Sequence, residues 1–376
     1  MSPKQAVCVA FFRRSPSWLI AGMCMTVILW NAPESEADSA ACFGGKATIS
    51  GAGMITGTDG DDVIVGSPGD DFIDGLGGDD RICGLTGDDF VNGGTGNDRL
   101  DGAEGDDQLQ GDVFAAGGDA VGGGDDELLG GPGADGLHGD SRAEDGDAMG
   151  GGDDVIDGGK GDDLIAGDSI SFGLEGVARG AGDDRIFGGS GDDFPNGDNV
   201  TVGGGDAVGA GDDSIDGGIG VFDFVIGDNV ACCAGTGSAI GAGDDVLDLG
   251  KDGGFAAIGD NQARGDVSGA GDDRIRGGTA DEFALVGDNA SGGASSEAGD
   301  DFIDGRGGQD TLFGDNTDLD TTGSILSAGG DDALKGNVGD DVLRAGPGDD
   351  MLNGGPNVDA CDGEGGSDKV AGCETP

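Results

Sequence analysis

The chain of 376 residues has no tyrosine, one histidine, and two tryptophans confined to its first thirty residues (Trp18, Trp30). Basic residues are scarce too: 18 Lys and Arg stand against 76 Asp and Glu, for a formal charge of −58. So acidic a surface repels nucleic acid and anionic membrane and leaves cations as the natural partners. With His138 alone, and cysteine spacings that fit no zinc motif, metal ligation by cysteine is not expected. There is no H-E-x-x-H and no G-x-S-x-G with a triad to accompany it, so no enzymatic activity is expected.

Long apolar runs are also lacking, with one exception. The twelve residues Leu19–Trp30 follow Lys4, Arg13 and Arg14 and precede Ala37-Asp38-Ser39-Ala40-Ala41. That pattern predicts a signal peptide over 1–41, cut within 37–42, since twelve residues are short for a membrane span. An uncleaved anchor is the alternative. Cleavage would remove Cys8 and Cys24 and leave Cys42, Cys83, Cys232, Cys233, Cys361 and Cys373 in an oxidising compartment. Cys42 with Cys83 and Cys361 with Cys373 bracket the two ends of the repeats as candidate staples. Spacing does not fix the pairing, and Cys232-Cys233 could pair with each other or with another chain.

Glycine (89 residues) and aspartate dominate what remains; only ten acidic residues are Glu. Composition alone would describe a disordered polyelectrolyte, because glycine is costly to order and large apolar residues are few. The pattern argues otherwise. In GDDVIVGSPGDDFIDGLGGDDRICGLTGDD (60–89) and the residues that follow, Asp62, Asp71, Asp80, Asp89, Asp98 and Asp107 fall nine apart. A glycine stands two residues before each, and an aliphatic residue two after: Ile64, Ile73, Ile82, Val91, Leu100, Leu109. A disordered acidic tract has no reason to keep an aliphatic side chain in phase with an aspartate.

The unit GGTGNDRLD (93–101) fits G-G-x-G-x-D-x-U-x, with U a large aliphatic residue. It resembles the calcium-binding nonapeptide of the RTX, or haemolysin-type, family. The resemblance implies an all-β fold, a right-handed parallel β-roll. Six residues of each unit form a turn and three a short strand, two units make one coil, and U side chains stack inside. It also implies calcium held between the turns of successive coils on the same side, and a bacterial origin. Many members of that family leave the cell through a type I system with a C-terminal signal. The N-terminal signal expected here points to the general secretory route.

From Gly96 the period lengthens to roughly 28–32 residues, with copies starting at Gly96, Gly124, Gly152, Gly182, Gly211, Gly243, Gly271, Gly299 and Gly330. The stretch GDDVIDGGKGDDLIAGDS (152–169) shows the form: two nonapeptides, a Gly-Asp-Asn or Gly-Asp-Ser, then a small-residue insert leading into the next copy. The chain thus divides into an N-terminal cap (42–59), plain nonapeptides (60–113), super-repeats (114–329), plain nonapeptides again (330–370) and a tail (371–376). No catalytic domain has room. The expected ligands form two columns. One holds Asp62, Asp80, Asp98, Asp126, Asp154, Asp184, Asp213, Asp245, Asp273, Asp301, Asp332, Asp350 and Asp368. The other holds Asp71, Asp89, Asp107, Asp135, Asp163, Asp193, Asp223, Asp310, Asp341 and Asp359, with a gap in the copies at 243 and 271 and Pro195 at a U position. All inserts follow the second column and should project from one side.

Calcium wants six to eight oxygens at about 2.3–2.6 Å in a flexible geometry, which glycine-rich turns and short carboxylates supply. Magnesium, which holds its waters in a stricter octahedron, fits such a cage less well. In each Asp-Asp pair the second residue is the expected ligand and the first faces solvent. The apolar interior is thin, so binding free energy should become folding free energy. The pairs Asp198-Asn199, Asp228-Asn229, Asp260-Asn261, Asp288-Asn289 and Asp315-Asn316 either form a third row of cation ligands or are Asx-type turns that launch the inserts, the turn reading being preferred. His138 fits an outward-facing strand end, and chance accounts for Arg264-Gly265-Asp266 in so Gly/Asp-rich a chain. The expected protein is a secreted or cell-surface calcium-binding repeat protein with a structural or interaction role. Its partners would be calcium ions and a cell-surface or extracellular polymer ligand, without nucleic acid or membrane insertion. A calcium-dependent adhesin or matrix component, or a non-catalytic partner of a secreted enzyme, is the alternative.

Overall fold

A computed structural model describes residues 41–232, 237–295, 297–318, 323–324 and 329–374. The expected signal segment up to residue 40 and the pairing of Cys233 lie outside the described residues. Glycine-rich turns separate strands of two to six residues, and no helix occurs among the described residues. The strands stack in parallel along one axis, so the all-β roll expected from the sequence is what the chain forms.

Two long stacks build the roll. Sheet one has fourteen strands, from Ile49–Ser50 to Lys369–Ala371; sheet two has thirteen, from Met54–Thr56 to Ala360–Asp362. Successive copies keep U residues in register: Ile64 pairs with Ile82 and Ile82 with Leu100 in sheet one, and Ile73 with Val91 and Val91 with Leu109 in sheet two. A three-residue strand sends its middle side chain to one face and its flanks to the other. The middle residues of both sheets therefore meet in one continuous apolar core running from Ile55 to Leu352. Pro195 stays buried at its U position. There the pairing toward the next copy shrinks to Asn196 with Ile226, because proline has no N–H for the ladder.

The inserts lie on one side of the roll, and they are strands. Sheet three has nine, from Phe114–Ala115 to Gly323–Ser324, all parallel except the last pair. Sheet four has six, from Ala120–Val121 to Val267–Ser268. A plain coil thus has two sides and a central coil four. Sheet three covers the outer face of sheet two and creates a second core of Ala166, Ile170, Val200, Ile226, Val230, Ile258, Val286 and Phe313, among others. Sheets three and four approach closely over small side chains, such as Ala120, Ala143 and Ala148 and then Ala207, Ala239 and Ala263. His138 ends a sheet-two strand in this covered section and is 1% exposed. The expectation of an outward-facing histidine is therefore corrected: the insert of the same copy closes over it. Burial, and then the nearby Arg142 charge, push its pKa down to about 3, so the imidazole is neutral.

The ends are tied. A short antiparallel hairpin, Ala41–Cys42 with Gly45–Lys46, sits at the N-terminal edge, where the Cys42–Cys83 disulfide joins it to sheet one. The segment expected as a cap already adds the first strand to each main sheet. Cys361–Cys373 closes the other end.

Candidate metal centre

Each site begins with a turn that reverses the chain, in many copies through left-handed backbone. In Gly75-Leu76-Gly77-Gly78-Asp79-Asp80, Leu76 (φ 79°) and Gly78 (φ 108°) adopt left-handed backbone, which folds the chain back in six residues. The two aspartates that close the turn then bond in opposite directions along the axis. The N–H of Asp62 donates to Oδ1 of the inner Asp80 at 2.7 Å, while the N–H of Asp79 donates to Oδ1 of the outer Asp61 at 3.1 Å. Asp61, Asp70, Asp79 and Asp88 are exposed; Asp62, Asp71, Asp80 and Asp89 are buried.

The inner aspartates form the two columns. In the first, N–H to Oδ1 bonds join every step from Asp62 to Asp368, at 2.6 to 3.3 Å. In the second, the same bonds run from Asp71 to Asp223 at 2.7 to 3.0 Å and again from Asp310 through Asp341 to Asp359. Oδ1 is thereby spent on the neighbouring coil. For every expected ligand except Asp62, Asp71 and Asp368, Oδ2 is buried with no hydrogen-bond partner in the protein. At the N-terminal edge, hydroxyl and main-chain donors satisfy the carboxylates: Thr48 and Thr58 for Asp62, Gly53 and Ser67 for Asp71. At the other edge Glu374 accepts the N–H of Asp359 at 2.7 Å.

A buried carboxylate oxygen without a donor is costly. Burial, opposed by the bond from the preceding coil and reinforced by neighbouring carboxylates, pushes Asp80, Asp89 and Asp98 up to about 7. Deeper in the central section burial and the Asp112 charge push Asp126 up to about 9, and burial raises Asp154, Asp245 and Asp301 well above the usual carboxylate range. Such groups must take up a proton or meet a cation. The donor set consists of oxygen alone, closely spaced along the axis, and suits a hard divalent ion of flexible coordination.

The gap in the second column is narrower than the sequence suggests. In the copy at 243 no carboxylate fills it; Leu249 is buried there and Phe255 donates its N–H to the Asp223 carbonyl at 2.7 Å. In the copy at 271, Glu282 continues the column. Its N–H donates to Oδ1 of Asp310 at 3.1 Å, its Oε1 accepts from Gly278 at 3.0 Å, and its Oε2 is buried without a partner. Glu282 stands three residues before the core Leu285 instead of two, and its extra methylene spans the difference. Asp281-Glu282 in place of Asp-Asp was the signal for it.

The Gly-Asp-Asn and Gly-Asp-Ser sequences belong to first-column turns. A β-carbon on Gly93 would lie 2.3 Å from Oδ2 of Asp98, five residues on; one on Gly111 would lie 2.0 Å from Oδ2 of Asp126, across an insert. Each central insert is therefore spliced into a turn after its second residue. That residue is Asp112, Asp140, Asp168, Asp198, Asp228, Asp260, Asp288 or Asp315, and all eight are buried. Their main chains form a ladder, Asp112 N–H to Asp140 carbonyl at 3.4 Å and onward. Their carboxylates do not make the local bond of an Asx turn. Asp260, Asp288 and Asp315 each accept instead from the glycine that reopens the next copy (Gly271, Gly299, Gly330) at 2.8 to 3.0 Å. The asparagines do the launching: Asn199, Asn229, Asn261 and Asn289 bond side chain to side chain at 2.9 to 3.2 Å, and Asn229 and Asn261 reach the carbonyls of Gly209 and Gly241, each just past a sheet-four strand.

The family model of the RTX calcium-binding nonapeptide repeat matches residues 56–91, 84–115, 120–141, 150–169, 180–199, 267–283, 295–318, 327–360 and 335–370. The unmatched stretch between 199 and 267 includes the copy whose second column lacks a carboxylate. No curated protein matches the chain.

Proposed function

Because the chain belongs to the RTX calcium-binding nonapeptide repeat family, we propose that its two columns of turns bind calcium and that the chain folds as it does so. The observation that carries this reading is the repeated buried Oδ2, from Asp80 to Asp359, that has no donor in the protein. Calcium would supply the positive charge that such carboxylates need, and the oxygens of the turns would fill its coordination sphere. The chain's own part is to fix Oδ1 on the neighbouring coil, so that Oδ2 is held in place, and to exclude water by stacking the U residues beside it. Without the cation the stack brings like charges together roughly 4.8 Å apart, the spacing of neighbouring strands, which opposes folding.

The protein works as a binding or structural element rather than a catalyst, outside the cell or at its surface. The disulfides Cys42–Cys83 and Cys361–Cys373 support that location. Circular dichroism during calcium titration tests the reading: strand signal should rise with calcium and vanish in excess chelator. An identical strand signal in both conditions would overturn it.

A further inference from the structure

We infer that the central coils hold a second class of cation site, built from the aspartate at position two of each spliced turn together with the first-column aspartates. It rests on the calcium reading above, because the two rows share the first-column side chains. In the plain turns before the first insert position two is Thr58, Ser67, Leu76, Leu85, Gly94 or Ala103, none of them a carboxylate. In the central turns it is a buried carboxylate. Asp112, Asp126 and Asp140 each present a carboxylate oxygen, and these oxygens all lie within 4.8 Å of one another. Both oxygens of Asp112, Oδ2 of Asp126 and Oδ2 of Asp140 are buried with no hydrogen-bond partner in the protein.

Among the described residues this close triad occurs once, but its parts recur further down the stack. Gly227, the residue before Asp228, lies so close to Asp245 that a β-carbon on it would stand 2.0 Å from Oδ2. Oδ1 of Asp228 and Oδ2 of Asp245 are both buried and unpartnered. Three carboxylates drawn from two successive coils give a more negative, more enclosed site than a turn of carbonyls with one aspartate. Such a site suits a calcium-sized divalent cation, which can leave only when two four-sided coils separate. Central ions should therefore be bound more tightly and released more slowly than those of the plain ends.

The test compares the full chain with an Asp112→Asn/Asp140→Asn variant, and with Asp80→Asn as a plain-turn control. Calcium per chain is counted by equilibrium dialysis, and release is followed after mixing with chelator. The inference expects two release phases, with the double variant losing bound calcium and slow-phase amplitude while the control spares the slow phase. If the wild type binds calcium but the double variant, still folded by circular dichroism, keeps its stoichiometry and slow phase, this inference fails and the calcium reading stands. If the wild type binds none, both fail. Should the double variant not fold, infrared spectra of the calcium-loaded wild type at neutral pH decide. Ionised carboxylates alone support the site, and a persistent carbonyl stretch of buried carboxylic acid overturns it.

Discussion

A β-carbon on Gly111 would stand 2.0 Å from Oδ2 of Asp126 and 1.8 Å from the Gly139 carbonyl oxygen, so the opening glycine of a turn and its closing aspartate are in contact although an insert separates them. No φ constraint requires glycine at 111; the space does. Gly111→Ala should therefore displace the very oxygen that would meet the cation. The expected loss is roughly 1–3 kcal/mol, as for overpacking, with weaker calcium response in circular dichroism. Gly117, beside which a β-carbon meets nothing within 4 Å, is the control whose change to alanine should leave the titration unmoved.

Acid should stand in for the metal. The carboxylates of Asp107 and Asp350 are pushed up to about 6 by burial, Asp80 to about 7 and Asp126 to about 9. A raised carboxylate pKa contributes stability that is complete below the unfolded value, about 3.9, and is lost as pH rises through the folded value. In chelator, strand signal should thus be greatest near pH 3 to 4 and fall away as pH climbs above about 4, the loss being complete once pH has passed the raised values of roughly 6 to 9. Strand signal that instead grows with pH in chelator would contradict it.

Leu249 occupies the main core in the copy where the U position is only Ala257. Leu249→Ala removes one of that copy's two large main-core side chains, Leu247 being the other, and should cost roughly 2–5 kcal/mol, read as a lower denaturation midpoint in calcium. Leu174, 84% exposed, should tolerate alanine within about 0.5 kcal/mol.

Replacing Cys42 and Cys83 with serine should loosen the N-terminal edge by roughly 2–4 kcal/mol. Repeat stacks transmit such losses mainly to near neighbours. Hydrogen exchange should accelerate in Ile49–Ser50 and Met54–Thr56 and stay unchanged around Val155–Lys160.

The two columns and the main core were legible because a strict interval of nine ties Asp62 to Ile64, Asp71 to Ile73 and so on, and a turn plus a three-residue strand has no slack to break that phase. The second core was written in the sequence less directly. The residue after U in sheet two reads Asp74, Asn92, Gln110 and His138, then Ala166, Asn196, Ile226, Ile258, Val286 and Phe313, then Arg344 and Asp362. The apolar run, broken by Asn196, marks coils in which sheet three covers sheet two, but it emerges only once the copies are aligned on their strands. His138 escaped because its burial depends on an insert whose strands have only two residues, too short for any alternation to appear. Glu282 escaped because a rigid spacing rule cannot see a longer side chain compensating for a one-residue slip.

Splicing the inserts into the turns also sets an order of assembly. In a plain turn Gly93 meets Asp98 after five residues, whereas Gly111 meets Asp126 after fifteen. Closing the longer loop costs about 1 kcal/mol more in chain entropy, and four strands rather than two must settle before the turn is whole. The plain coils at 60–110 and 330–370 are therefore where the stack is expected to start growing. The central coils add to them one at a time, each new rung templated by the edge already formed.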